Sequence, residues 1–209
     1  MKTLAIIGSG HLGQQIAHYA TADGHYQAVV FFDDVTTEPS VAGFPVLGTS
    51  DDIASAFAAG QFDEILIGIG YKHLKVRAQL FEKFNGKVPF GKIVHSTVWT
   101  DPTATVADGC VIYPGCVIDA HAVISENTIL NVACTVAHDT VIGPHCFLSP
   151  RVAVAGFVRT GEQCILGINS TVIDNISIVS HTQIGGGCVV IKNIDQAGLY
   201  VGNPQKFVR

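Results

Sequence analysis

From Val94 to Val190, nearly every sixth residue of the chain is aliphatic. The series runs Val94, Thr100, Val106, Ile112, Ile118, Ile124, Leu130, Val136, Ile142, Leu148, Val154, Thr160, Leu166, Val172, Ile178, Ile184 and Val190. Fifteen of those seventeen positions are aliphatic, and no insertion breaks the phase. A chain that returns to the same environment every six residues is turning a corner each time, which is the hexapeptide pattern of a left-handed parallel β-helix. Three hexads close one triangular coil of eighteen residues. Coils stack at the inter-strand spacing of ~4.8 Å, so residues eighteen apart lie one above the other. Val94 to about Asp195 predicts between five and six coils.

The first ninety residues follow another rhythm. Thr3 to Ile7 predicts a short buried strand, and Ile16, Ala17 and Ala20 mark one face of a helix. Gln27 to Phe32 predicts a second strand ending at Asp33-Asp34. A short apolar segment follows from Gly43 to Leu47, and a helix from Asp51-Asp52 to about Ala59. Ile65 to Ile69 predicts another buried strand, ending at Gly68-Ile69-Gly70, and Leu74 to Phe84 an amphipathic helix. Strands alternating with helices imply a parallel sheet with helical crossovers. The expected organisation is an α/β Rossmann-like domain over residues 1–90 and a β-helix over residues 91–209.

The cysteines fit the same phase. Cys110, Cys116, Cys134, Cys146, Cys164 and Cys188 all sit two positions before an aliphatic residue of the series. They are therefore expected as small, buried, reduced side chains at the corners. There is no Cys-x-x-Cys pair to suggest a metal site. Charge narrows the function. A net charge of −5 lacks the basic face that nucleic-acid binding needs. No apolar run reaches the ~18 residues of a membrane span. The apolar run Leu4 to Ile7 ends at Gly8, too short for a signal peptide. The expected compartment is a reducing cytoplasm.

Candidate chemistry starts at Gly8-x-Gly10-x-x-Gly13, which matches the dinucleotide fingerprint between strand and helix, with Asp33 near the spacing of a ribose-binding acid. Glycines there let a backbone approach a phosphate at a helix N-terminus, which favours any pyrophosphate. The domain has room for only one mononucleotide-binding half, and His11 stands within the loop. Both features favour a nucleotide sugar over NAD.

A small nucleotide-binding domain joined to an unbroken hexapeptide coil resembles the family of sialic acid O-acetyltransferases and nucleotide-amino-sugar N-acetyltransferases. The marks in the first domain are Gly8-Ser9-Gly10-His11, Asp33-Asp34 and Gly68-Ile69-Gly70. Those in the coil are Asn131, Val136-Ala137-His138-Asp139, Val141-Ile142-Gly143, Ala155-Gly156, Leu166-Gly167-Ile168-Asn169-Ser170, Ile184-Gly185-Gly186-Gly187 and Val201-Gly202-Asn203-Pro204. The resemblance implies an acetyl-CoA-dependent enzyme, a homotrimer, acting by direct transfer. It places His138 as general base, oriented by Asp139, with Gly156 eighteen residues on as an oxyanion donor. Ile168, Gly186 and Asn131 would meet acetyl-CoA. Ser9, Gly10, His11, Asp33, Asp34 and Gly70 would meet the nucleotide sugar. The chain departs from the family at Phe147, where a histidine often stands nine residues after the catalytic one; His145 lies two residues earlier.

Three other readings stay open on the sequence. One is O-acetylation of a sialic acid or related sugar hydroxyl. Another is a non-catalytic sugar-nucleotide-binding homologue, favoured by Phe147. The third is a metal-dependent hexapeptide enzyme using His121, His138, His145 and His181. That one requires three converging histidines, and these are not expected to stack on one another in eighteen-residue steps.

Overall fold

In the computed structural model, which describes residues 2–209, the chain forms two compact units, residues 2–93 and 94–209. The first unit holds β1 (Thr3–Ile7), α1 (His11–Ala22), β2 (Ala28–Phe32), β3 (Ser40–Val41), β4 (Phe44–Gly48), α2 (Ile53–Ala58), β5 (Glu64–Ile67) and α3 (Leu74–Phe84). The sheet order is β3-β4-β2-β1-β5. β4, β2, β1 and β5 run parallel, while β3 pairs antiparallel with β4. The apolar segment around Gly43–Leu47 is thus half of a hairpin. The connection from β1 goes to β2 on one side, and β5 lies on the other. That reversal beside β1 opens a crevice at the carboxyl ends of the strands. Phe90 bridges Ile65, and the Gly91 N–H donates to the Ile65 carbonyl at 3.0 Å, so the connecting segment extends this sheet.

The second unit is a parallel β-helix. Its two-residue strands stack into three faces, and each strand pairs with the strand eighteen residues on, as Val117 with Thr135 and Thr135 with Ala153. The inner aliphatic residues are nearly all sealed; Ile118, Val136, Ile142, Leu166 and Val172 are at 0% exposure. The chain turns each corner with a left-handed residue. Every sixth position from Gly109 to Gly187 has φ between +53° and +78°. After the last hexad, Leu199–Val201 adds to one face and Lys206–Phe207 folds back antiparallel to it, a closing hairpin beyond the sequence expectation.

The corner cysteines are more than small. The Cys116 thiol donates to the Asn131 carbonyl at 3.0 Å, and Cys134 to the Ser149 carbonyl at 3.2 Å. Thr128 and Thr140 make the same bond with a hydroxyl, to Gly143 O at 3.0 Å and Ala155 O at 2.7 Å. A residue at this position therefore fills the corner and satisfies the carbonyl fifteen residues on. Burial pushes the Cys146 and Cys188 thiols up, so they stay protonated and inert. Among the described residues no disulfide joins any of the six cysteines. The expected outcome of mutation follows. Cys146→Thr should cost less than about 1 kcal/mol, because it copies Thr128 and Thr182 in the same column. Cys134→Ala should cost about 1–3 kcal/mol, since it strips the partner from a buried carbonyl and leaves a void. Thermal denaturation of the two variants checks this ordering.

Thr160 breaks the aliphatic series without leaving a polar orphan. Its hydroxyl accepts from the Gly143 N–H at 2.9 Å, where the ladder between neighbouring strands is otherwise reduced to one residue pair. The hydroxyl of Thr100, the other exception, is buried without a hydrogen-bond partner, and nothing in the structure explains its choice there.

Candidate active site

The carboxyl ends of β1, β2 and β5 line a cavity of about 770 Å³ in the first unit. Glycines are what allow the crevice to form. A Cβ on Gly13 would sit 1.9 Å from the Gly8 carbonyl, and one on Gly68 would sit 2.7 Å from the Gly13 Cα. The helix and two strand ends thus touch through bare backbone. Gly10 caps α1 without any side-chain hydrogen bond, and both Gly10 and Gly70 face open space. The first turn of α1 therefore leaves N–H groups for a ligand, at the positive end of the helix dipole. The lining includes Ser9, Gly10, His11, Asp34 and Gly70, and no lysine or arginine. A phosphate bound here would be met by helix N–H groups and polar side chains.

Asp33 was expected to accept from a base or ribose. It is saturated by its own chain instead. Its Oδ2 accepts from the Ser9 N–H at 2.6 Å and the Ser9 hydroxyl at 2.7 Å. Its Oδ1 accepts from the N–H groups of Val35 at 2.8 Å and Thr36 at 3.0 Å. Those four bonds fill a carboxylate. Burial works to raise its pKa, but the bonds from Ser9, Thr36 and Val35 outweigh it and bring the value down to about 2. Asp33 therefore holds the glycine loop. Among the described residues Asp34 accepts only from Ser50, through its N–H at 2.7 Å and its hydroxyl at 3.1 Å, and retains capacity for a ligand.

A residue absent from the sequence reading is Arg77. It sits on α3 at 1% exposure and donates to the carbonyls of Ile67 and Ile69, the latter at 3.4 Å. It ties the end of β5 and the Gly68–Gly70 loop to the helix. The signal was a cation inside the apolar stripe of Leu74, Ala78 and Phe81.

In the coil, His138 stands two residues after the inward Val136, at the corner where the chain leaves the strand. Its side chain is 49% exposed, and Nδ1 lies 3.0 Å from Asp139 Oδ2. Asp139 occupies the left-handed turn position, φ +58°, which turns its carboxylate back onto the preceding imidazole. Gly156 lies directly beneath in the next coil. A Cβ there would come within 2.7 Å of His138 Cε1 and 2.9 Å of Nε2. The glycine is required because the imidazole occupies its side-chain space.

Ile168 and Gly186 stack in the same way, with a Cβ on Gly186 falling 3.1 Å from Ile168 Cγ2. Asn131 belongs to the same corner. That corner precedes the strands Thr135–Val136 and Thr171–Val172 of one parallel face, whereas His138 follows them. Within one chain, therefore, Asn131, Ile168 and Gly186 lie at the opposite ends of those strands from His138. Phe147, at 7% exposure, lies between Ile129 and Ile165 on the face that leads into the Ile168 corner. His145 is at the third corner, 4% exposed, with Nδ1 2.9 Å from Asn127 Nδ2. His145 and His181 do share a column, contrary to the sequence reading, but two coils apart with Gln163 between them. Among the described residues no cluster of three or more histidine, cysteine or acidic side chains is placed to hold a metal.

A half-exposed corner imidazole backed by a carboxylate on a hexapeptide β-helix, in a chain that also carries a glycine-loop crevice, is the pattern of an acyltransferase. Comparison with known proteins gives the family. The family model described as the PglD N-terminal domain matches residues 3–84. The acetyltransferase domain of PglB from Neisseria gonorrhoeae FA1090 is 30% identical, with a TM-score of 0.92 and all of both chains covered. The same domain in complex with acetyl coenzyme A is also 30% identical, with a TM-score of 0.91 over 99% of each chain. PerB from Caulobacter crescentus, in complex with CoA and GDP-perosamine, is 26% identical, with a TM-score of 0.91 over 100% of this chain and 98% of that one. The chain belongs to the nucleotide-amino-sugar acetyltransferase family, and its coil is the left-handed β-helix of that group.

Proposed function

We propose that the protein transfers an acetyl group from acetyl-CoA to the amine of a nucleotide-linked amino sugar, with His138 as general base. The observation that carries the reading is the Asp139–His138–Gly156 corner. Asp139 against Nδ1 fixes the tautomer that leaves Nε2 as the acceptor, and it stabilises the imidazolium that forms. The acceptor nitrogen adds to the thioester carbonyl carbon, and collapse of the tetrahedral oxyanion then breaks the bond to sulfur. His138 takes the proton from the amine and returns one to the departing thiolate. No thiol of the chain is placed to carry the acyl group, because all six cysteines are buried. The Gly156 N–H remains the proposed oxyanion donor.

The nucleotide is proposed to bind at the first unit's crevice, its phosphates on the Ser9–His11 turn and Asp34 toward the base or ribose. Acetyl-CoA is proposed to run past Asn131, Ile168 and Gly186, where Gly186 leaves a shallow cradle beside an isoleucine that is 51% exposed. A melting screen with UDP-, GDP-, dTDP- and CMP-linked amino sugars, NAD and acetyl-CoA tests this. A ligand of the native state raises Tm by mass action. One amino-sugar nucleotide should stabilise the protein and become N-acetylated. Stabilisation by NAD alone, or acetylation of sugar hydroxyls only, would overturn the assignment.

We further propose that the active species is a homotrimer in the cytoplasm. One chain leaves the Ile168 corner and His138 at opposite ends of a face, so a second copy must close the site. Trp99, Ile173 and Ile191 are 54%, 37% and 39% exposed, apolar area that a closed threefold assembly would cover. Light scattering should give three times the 22.1 kDa chain mass. A stable, fully active monomer would rule the assembly out.

A further inference from the structure

Phe157 is a large apolar side chain with no place in the hydrophobic interior and no part in the proton transfer proposed above. It occupies the left-handed turn position of its hexad, φ +61°. Bulky side chains seldom adopt that conformation. The same turn position is filled by Asn169 at φ +56° and Asn175 at φ +60° in the following hexads. The strained backbone holds the ring against His138. The ring centroids are 5.2 Å apart and the planes cross at 86°, an edge-to-face pair. Backbone contact keeps the two in register, because the Phe157 N–H donates to the His138 carbonyl at 3.2 Å.

The other contacts of the imidazole do not hold it alone. Asp139 is itself 39% exposed, so solvent screens its pull on Nδ1. Gly156 supplies space beneath the ring and no restraint. A half-exposed histidine has other staggered rotamers open to it unless something blocks them. Phe157 is the side chain in ring contact with it.

We propose that Phe157 is a positioning residue, a wall that keeps the His138 imidazole over Gly156 with Nε2 presented to the acceptor amine. This rests on His138 being the base. The test is a double-mutant cycle on the full chain, assayed with acetyl-CoA and the panel acceptor of highest turnover. Phe157→Asn suits the left-handed turn, so the fold is retained while the ring is removed. It should lower kcat about 10- to 100-fold, the scale of a small misplacement of a reacting group. The KM for acetyl-CoA should stay within about twofold. In a His138→Ala background, Phe157→Asn should cause no further loss, and Phe157→Tyr should recover most of the wild-type rate. In histidine-labelled protein without substrate, the His138 ring resonances should move in Phe157→Asn as the ring-current contribution disappears. Unchanged kcat in Phe157→Asn, an equal loss in the His138→Ala background, or unmoved His138 resonances each overturn the proposal. If His138→Ala keeps full turnover, the base assignment fails and the positioning role falls with it. If His138→Ala is inactive while Phe157→Asn is normal, the positioning role alone fails.

Discussion

His138→Ala is expected to lower kcat for acetyl transfer by about 100- to 10,000-fold, the range for loss of a general base. The fold and both ligand affinities should survive. The imidazole lies outside the inner stack of Val136, Ile118 and Val154, so its removal opens no cavity in the core. Asp139→Asn should cost less, because the imidazole remains and loses only its fixed tautomer and part of its basicity. Gly156→Ala should resemble the histidine deletion, since the added Cβ falls 2.7 Å from Cε1 and must push the ring away. Steady-state kinetics on the three variants, with circular dichroism as the folding control, gives the comparison. Wild-type turnover in His138→Ala would remove the assignment. On sequence distance His145 is the next candidate. Its burial beside Asn127 at a different corner takes it out of contention.

The coil was legible because its physics is one-dimensional. Each hexad turns its aliphatic residue inward, and a register error anywhere would expose every aliphatic residue after it, so the phase survives in the sequence from Val94 to Val190. The stacking of Gly156 under His138 was legible for the same reason, as a separation of eighteen. What the cysteines do was not. Sequence spacing gives their corner, but the thiol-to-carbonyl bonds need the coil's three-dimensional closure. The separation of His138 from Ile168 and Gly186 within one chain was also hidden. All three are outward turn residues, and only the strand order reveals that one corner precedes the shared face and the other follows it. In the first unit, Gly13 read as part of the phosphate fingerprint and Gly68 as part of a strand end, yet the two pack against each other. Asp33 read as a ligand group because strand-end acids after this fingerprint so often are. Its four donors come from loop residues whose backbone path no periodicity encodes. Arg77 was lost to the apolar stripe that surrounds it.

Asp33 carries the second large expected effect. Asp33→Ala should destabilise the first unit by about 2–4 kcal/mol, because the N–H groups of Ser9, Val35 and Thr36 and the Ser9 hydroxyl lose an ionised acceptor together. Nucleotide affinity should fall with it, since the Ser9–His11 turn is held in place by those bonds. The pH dependence separates this role from simple packing. The carboxyl drops from its ordinary 3.8 to about 2 in the folded protein. A depressed pKa means the unfolded chain binds the proton first, so the stabilisation is complete above about pH 4 and is lost as pH falls toward 2. Asp33→Asn cannot titrate, and its amide turns a donor toward donors on one side. It should therefore be less stable than wild type at pH 7, and the gap should narrow steadily on acidification below pH 4. Denaturant unfolding of both proteins at pH 7, 4 and 3 measures that gap. A difference that stays constant with pH would mean the aspartate's charge contributes nothing to holding the loop.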